Sequence, residues 1–245
     1  MSGHSKWHSI KHKKGAADAK RGKIFTKVAA EISVAAKGGA DPEMNFKLRL
    51  AIQKAKAVNM PAINIDRAIA RGSGQGGGAA LEELTYEGYG TGGVAVLVHA
   101  LTDNRNRTGA DIKSAFAKYG GNLGAPGSVS YLFEQKGVIV CREGGNKEEL
   151  ELAAIDAGAS DIDDSGDQLI IYTTPHDLEK VKEALGEGNV ESSETEQIAN
   201  QTVLIEDEKK ASTLMKMVDM LDDFDDVVEV SANYDIPDAI MEKLG

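Results

Sequence analysis

The hydrophobic period of this chain changes once, at a glycine-rich stretch, and that change limits the folds open to it. Up to Gly72 apolar residues recur at helical spacing, whereas beyond GSGQGGGAA (72–80) short alternating runs take turns with helical ones. In KIFTKVAAEISVAAK, Ile24, Phe25, Val28, Ala29, Ile32 and Ala36 fall on one helical face, and Gly38-Gly39 ends the run. Asp41-Pro42 reads as an N-cap followed by proline at the first helical position, with Met44, Leu48, Ala51, Ile52 and Ala55 as the second stripe. A third helix starts near Pro61, uses Ile65, Ala68 and Ile69, and ends at Gly72. Three helices with short connections make a small bundle, and 72–80 is its flexible exit.

After the linker, Leu81–Glu87 and Val94–Leu101 read as strands joined through GYGTGG. A helix follows from about Thr108 to Lys118, where Thr108 and Asp111 resemble a capping box, and Ser128–Phe133 reads as a third strand. Then come strand Val138–Cys141, helix Lys147–Ala157, strands near Ser160–Asp163 and Gln168–Thr173, helix Pro175–Leu185 and a strand near Val190–Glu196. That βαββαβ order is the split ferredoxin-like arrangement, which closes a layer by itself. Thr202–Ile205, a helix from about Glu208 to Leu221 and Val227–Ser231 then complete the first layer. The expected class is α+β: an N-terminal three-helix bundle followed by two α+β domains, one a ferredoxin-like insertion. The boundaries are 1–81, 82–134 with 202–245, and 135–201.

Charge is divided along the same chain. Residues 1–71 hold 15 Lys+Arg against 5 Asp+Glu, a net of +10, while residues 72–245 hold 13 against 34, a net of −21. Folding does not require this polarity, and a basic arm on an acidic body is the electrostatic footprint of a polyanion partner. Within the arm, Lys6, Lys11, Lys13, Lys14, Lys20, Arg21, Lys23 and Lys27 are interleaved with His4, Trp7, His8 and His12. Lysines neutralise phosphates, and an indole or imidazole plane stacks on an unpaired base. The bland alternative is a solubilising tail whose Trp7 packs onto the bundle. Lys47, Arg49, Lys54 and Lys56 carry the basic character onto the second helix, as solvated helix surfaces often do.

The second motif is TDNRNRTG (102–109), at a strand end and a helix start. Arg105 and Arg107 sit where the helix dipole is already positive, an arrangement that an anion beside the free N–H groups would reconcile. Local salt bridges to Asp103 or Asp111 are the equal alternative. The glycine clusters GYGTGG (88–93) and GGNLGAPG (120–127), accompanied by Tyr86, Tyr89 and Tyr119, should gather at one end of the layer. They serve either close approach of a partner backbone or tight turns of positive φ.

Catalytic signals are weak. No GKS or GKT follows a glycine loop, and Asp161–Gly166 starts like a calcium loop but reaches Tyr172 where the bidentate Glu belongs. The run DDFDD (222–226) reads as a solvated helix end, and Met215, Met217 and Met220 as a core stripe. His99, Cys141 and His176 lie in separate elements. The single Cys141 excludes an internal disulfide and any cysteine-based zinc cage, and fits a reducing compartment. No apolar run approaches the ~20 residues that cross a bilayer. The start MSGHSKWHSIKHKK lacks the apolar segment of a secretory signal, so a soluble cytoplasmic protein is expected.

GHSKW (3–7), IKHKK (10–14), the run from Asp18 through Lys20-Arg21-Gly22-Lys23-Ile24-Phe25, NMP (59–61), RAIARG (67–72), YEGYG (86–90), TDNRNRT (102–108) and GGNLG (120–124) together resemble the YebC/PmpR family. That family also includes the mitochondrial translational activator of cytochrome oxidase subunit one. The resemblance spans nearly the whole chain. It implies a helical bundle and two α+β domains, the third inserted in the second, and no enzymatic activity or cofactor. It implies a DNA-binding transcriptional regulator or, in a second view, a ribosome-associated factor that binds ribosomal RNA and aids translation of difficult stretches such as consecutive prolines. The candidate contacts are His4, Lys6, Trp7, Lys11, His12, Lys13, Lys14, Lys20, Arg21, Lys23, Lys27, Arg105 and Arg107, with a monomer as the default state. Two positions depart from the family pattern: Ala62 stands where a lysine often follows NMP, and GYGTGG replaces GYGPGG. The third helix is therefore left out of the candidate site.

Overall fold

A computed structural model describes residues 18–77, 79–164 and 168–244, with side chains from Gly22 onward. Among these residues it shows eight α-helices and antiparallel sheets together with one two-stranded parallel pair, and the chain divides into two compact units. Of the described residues, one holds those up to Ser130 together with Ser212–Val230; the other holds Tyr131–Ala211 and those from Ser231.

The first unit begins with helices α1 (Asp18–Ala36), α2 (Phe46–Ala57) and α3 (Ala62–Gly72). Val28, Ile32, Leu48, Ala55 and Ile65 form their common core. Ser33, buried on α1, donates to Ala29 O at 2.8 Å and lies 3.0 Å from Ala68 O on α3. A Cβ on Gly72 would come within 2.0 Å of Ser33 O, so α3 ends on glycine because α1 passes against it. The second helix starts later than Asp41-Pro42 foretold. Asp41 closes a turn instead, accepting from Glu43 N at 2.9 Å, and Met44 is left 87% exposed. Asn45 caps the helix through Leu48 N at 3.1 Å, while its amide nitrogen donates to Ala35 O and Gly39 O, tying the cap to α1.

The layer that follows contains β1 (Glu82–Tyr89), β2 (Ala95–Thr102), α4 (Arg105–Lys118) and β3 (Asn122–Leu123). The sheet order is β3-β1-β2-β9, with β9 (Val227–Ala232) at the far edge. Gly88 and Tyr89 of the first glycine cluster pair with Leu123 and Asn122 of the second. A Cβ on Gly88 would meet Asn122 O at 2.6 Å, and one on Gly121 would meet Tyr89 O at 2.6 Å. The backbone that approaches these glycines is the chain's own.

Ser128–Phe133 is not the strand its alternation foretold; Ser130–Leu132 is a 3₁₀ turn and β4 starts at Phe133. The reason is Glu87, 6% exposed, whose carboxylate accepts from the N–H of Gly127, Val129 and Ser130 at 2.7, 2.7 and 2.8 Å. Those donors are spent on a side chain and cannot join a ladder.

In the second unit, β4 (Phe133–Cys141), α5 (Lys147–Ala157), β5 (Asp161–Asp163), β6 (Ile170–Thr173), α6 (Leu178–Leu185) and β7 (Val190–Ala199) form an antiparallel sheet of order β5-β6-β4-β7. This is the ferredoxin-like order, and Ile139, Cys141, Leu150, Ala154, Ile171, Val181 and Leu185 fill the space between sheet and helices. Burial pushes the Cys141 thiol up to about 11. Because Asp161–Asp163 pairs with β6, that acidic stretch is a strand and not a cation loop.

The C-terminal elements divide. Helix α7 (Glu208–Asp222) places Met217 and Leu214 so close to Gly90 that a Cβ there would come within 2.7 and 3.0 Å. Strand β8 (Val203–Leu204), expected in the first layer, pairs in parallel with β10 (Tyr234–Asp235) instead. Asn233 helps to fix this pair by donating to Gln201 O. The chain closes with α8 (Asp238–Leu244), which had no distinct sequence signal.

Candidate nucleic-acid interface

Seven of the thirteen residues expected to touch nucleic acid, His4, Lys6, Trp7, Lys11, His12, Lys13 and Lys14, lie outside the described residues. Lys20 and Arg21 belong to the first turns of α1, with side chains outside the description. The remaining four are described, and three of them already have carboxylate partners.

Lys23 Nζ lies 3.0 Å from Asp223 Oδ1, and Lys27 Nζ lies 3.3 Å from Asp222 Oδ1 and also donates to the Asp222 carbonyl. The DDFDD run, read above as a solvated helix end, therefore faces α1. Asp226, its last member, stands at the centre of the TDNRNRT motif. Its Oδ2 lies 2.8 Å from Arg107, 2.6 Å from the Thr108 hydroxyl and 3.1 Å from that of Thr102. Burial alone would raise the Asp226 pKa; the hydrogen bonds from Thr108, Arg107 and Thr102 outweigh it and hold the carboxyl below its ordinary value. Asp103 adds a second carboxylate to Arg107 at 3.2 Å. Of the two readings for Arg107, the local salt bridge is what the geometry contains, though the larger share comes from Asp226 and not from Asp111.

Helix α4 begins three residues before the expected capping box. Asn104 is the N-cap, accepting from Arg107 N at 3.1 Å, and Thr108 is buried inside the first turns. Arg105 thus occupies the first helical position. It is exposed, and its guanidinium has no carboxylate partner among the described residues. Tyr86 stands beside it, its hydroxyl 3.4 Å from the Arg105 carbonyl. An exposed guanidinium without a carboxylate partner among the described residues, at a helix N-terminus, is the part of this motif free to meet an anion.

A cleft of about 500 Å³ opens in the same unit, lined by Phe25, Met60 and Leu101 on its apolar side and by Arg67, Arg71 and Asp225 among its charged groups. Arg67 has no carboxylate partner among the described residues, whereas Arg71 reaches the Ala79 carbonyl at 3.4 Å. Sequence reasoning passed over both arginines because Ala62 removed the charge at the head of their helix; the RAIARG repeat itself was the available signal. On α2, Lys54 pairs with Glu31 at 3.0 Å and Arg49 lies over the Phe46 ring, so of the four basic residues there only Lys47 and Lys56 remain without a partner among the described residues. No group of three or more His, Cys, Asp or Glu among the described residues could hold a metal ion, and no described helix is long and apolar enough to cross a membrane.

Comparison with known proteins places this arrangement. Residues 5–75 match the model of the TACO1/YebC protein N-terminal domain, and residues 81–234 match that of the TACO1/YebC second and third domain. The chain belongs to the TACO1/YebC family. A probable transcriptional regulatory protein of Sulfurihydrogenibium sp. (strain YO3AOP1) is 53% identical over 100% of this YebC-family chain and 99% of its own. One from Moorella thermoacetica is 51% identical with the same coverage. Among solved structures, a conserved hypothetical protein, Aq1575 from Aquifex aeolicus, superposes with a TM-score of 0.82 at 47% identity, covering 90% of this chain and 93% of that one. The YebC-family fold is thus shared with a structure at close sequence range.

Proposed function

We propose that this chain is a non-enzymatic regulator of gene expression that binds nucleic acid through its basic leader, residues 1–27, with Arg105 as an accessory contact. The observation that carries the reading is the charge segregation, +10 over residues 1–71 against −21 over the remainder. Relatives matching it end to end are named probable transcriptional regulatory proteins, which supports a regulatory role and makes DNA the first ligand to test. The proposal includes the three-domain division at 1–81, 82–134 with 202–245, and 135–201, and action as a soluble cytoplasmic monomer.

A second reading, a ribosome-associated translation factor, is favoured by one feature of the bundle. A helix that reads duplex DNA must lay its polar face in the major groove. The arginines of α3 instead line a cleft shared with α1 and the end of β2. That leaves the basic leader as the main contact, and its interleaved His and Trp residues suit the unpaired bases of folded RNA. Crosslinking the protein in growing cells and sequencing the recovered nucleic acid separates the two. Discrete promoter peaks establish the transcriptional reading, and ribosomal RNA without promoter DNA establishes the other. Recovery of neither overturns the proposal.

A further inference from the structure

Two lysines of the leader and Arg107 are held by carboxylates from one short run, 200, 195 and 119 positions away. Lys23 meets Asp223, Lys27 meets Asp222, and Arg107 meets Asp226. These are not the i,i+4 pairs that decorate any charged helix. Four of the five residues Asp222–Asp226 are acidic, and three of those four carboxylates touch a cation. Lys27 is the most enclosed, its side chain only 14% exposed, so its pair is less screened by solvent than a surface pair.

We propose that Asp222 and Asp223 act as an internal phosphate surrogate, occupying the two lysines that continue the basic leader, so that a nucleic acid must displace them to engage the full cationic track. This rests on the nucleic-acid reading above and deepens it: the acidic run sets how much of the track is available. In sequence, Lys23 and Lys27 follow the basic residues of 6–21, and both are already paired with a carboxylate. Release of each lysine would add one phosphate contact, and affinity for RNA or DNA would be held below what the sequence's charge alone implies. Asp226 does a different job, since it also anchors Thr102 and Thr108, and is excluded from the surrogate role.

The test uses the full chain carrying Asp222→Asn with Asp223→Asn, a substitution that keeps shape and an accepting oxygen beside each lysine. Binding to a single-stranded RNA and to a duplex DNA of equal length is measured from 0.05 to 0.3 M salt. Two added phosphate contacts steepen the log–log salt slope on single-stranded RNA by about 1.4 and tighten binding about 10- to 30-fold at 0.1 M salt. The same pair is then introduced into a Lys23→Gln, Lys27→Gln background, where the surrogate has nothing to release and no gain is expected. An equal gain in that background shows general relief of negative charge and overturns the proposal, as does unchanged binding by the asparagine variant when the parent binds. If neither parent nor variant binds either probe at any salt, the nucleic-acid reading itself fails and takes this inference with it. Thermal unfolding of each variant confirms the fold, and exposed pairs such as Lys23–Asp223 contribute little to stability.

Discussion

Single side chains in this molecule do unlike work from their sequence neighbours. Arg105 and Arg107 are two residues apart, yet only Arg107 is held between carboxylates. Arg107→Ala is expected to lower the melting temperature, whereas Arg105→Ala leaves it unchanged and reduces the salt slope of nucleic-acid binding by about 1; thermal unfolding and a salt titration check both. Glu87 is the other telling residue. Burial pushes its pKa up, but the N–H groups of Gly127, Val129 and Ser130 pull harder and leave it below the ordinary value. A carboxyl lowered in the folded state contributes stability in full above its unfolded pKa, about 4.3, and loses it as pH falls through the folded value. Asp226 behaves the same way. The melting temperature should therefore be level from pH 7 to 5 and fall below about pH 4. Glu87→Gln should cost about 2 kcal/mol at pH 7 and make the acid decline shallower, as seen by calorimetry across pH.

At the scale of elements, apolar period carried most of the reading and polar side chains moved the boundaries. The three bundle helices and the ferredoxin-like unit follow from repeats of Val, Ile, Leu and Ala whose partners are local in pattern. What pattern could not convey was capture of backbone donors by a distant carboxylate. Ser128–Phe133 alternates like a strand, but Glu87, some forty residues earlier, takes its N–H groups. Asn45 and Asn104 likewise displaced the caps assigned to Asp41 and Thr108, because each asparagine also fits the turn before its helix. Asn104→Ala should cost about 1 kcal/mol. Gly121→Ala should cost more, about 2 kcal/mol, because its Cβ would strike the Tyr89 carbonyl and backbone must shift. Urea titrations of the two variants measure the ranking.

For the whole molecule, the charge division was legible at once, and its internal neutralisation was not. DDFDD looked like a solvated end because nothing in a linear sequence says that Lys23 and Lys27 lie against it. Arg67, Arg71 and Arg107 show the same blindness, since they come to line one cleft only after folding. Removing residues 1–17 tests the proposed function at this scale. The shortened chain should fold, with the melting temperature of the described body retained, yet lose most of its affinity. If about six phosphates are gripped, the intact chain should weaken about a thousandfold between 50 and 200 mM salt, while the shortened one, which has lost four lysines but keeps Lys20, Arg21 and Arg105, responds much less steeply.

The lone thiol gives the ferredoxin-like unit a private reporter. Cys141 is fully buried, has no second cysteine to join and is held protonated far above neutral pH. A thiol reagent can modify it only when β4 opens, so the labelling rate under native conditions times the breathing of that one sheet without any engineered probe.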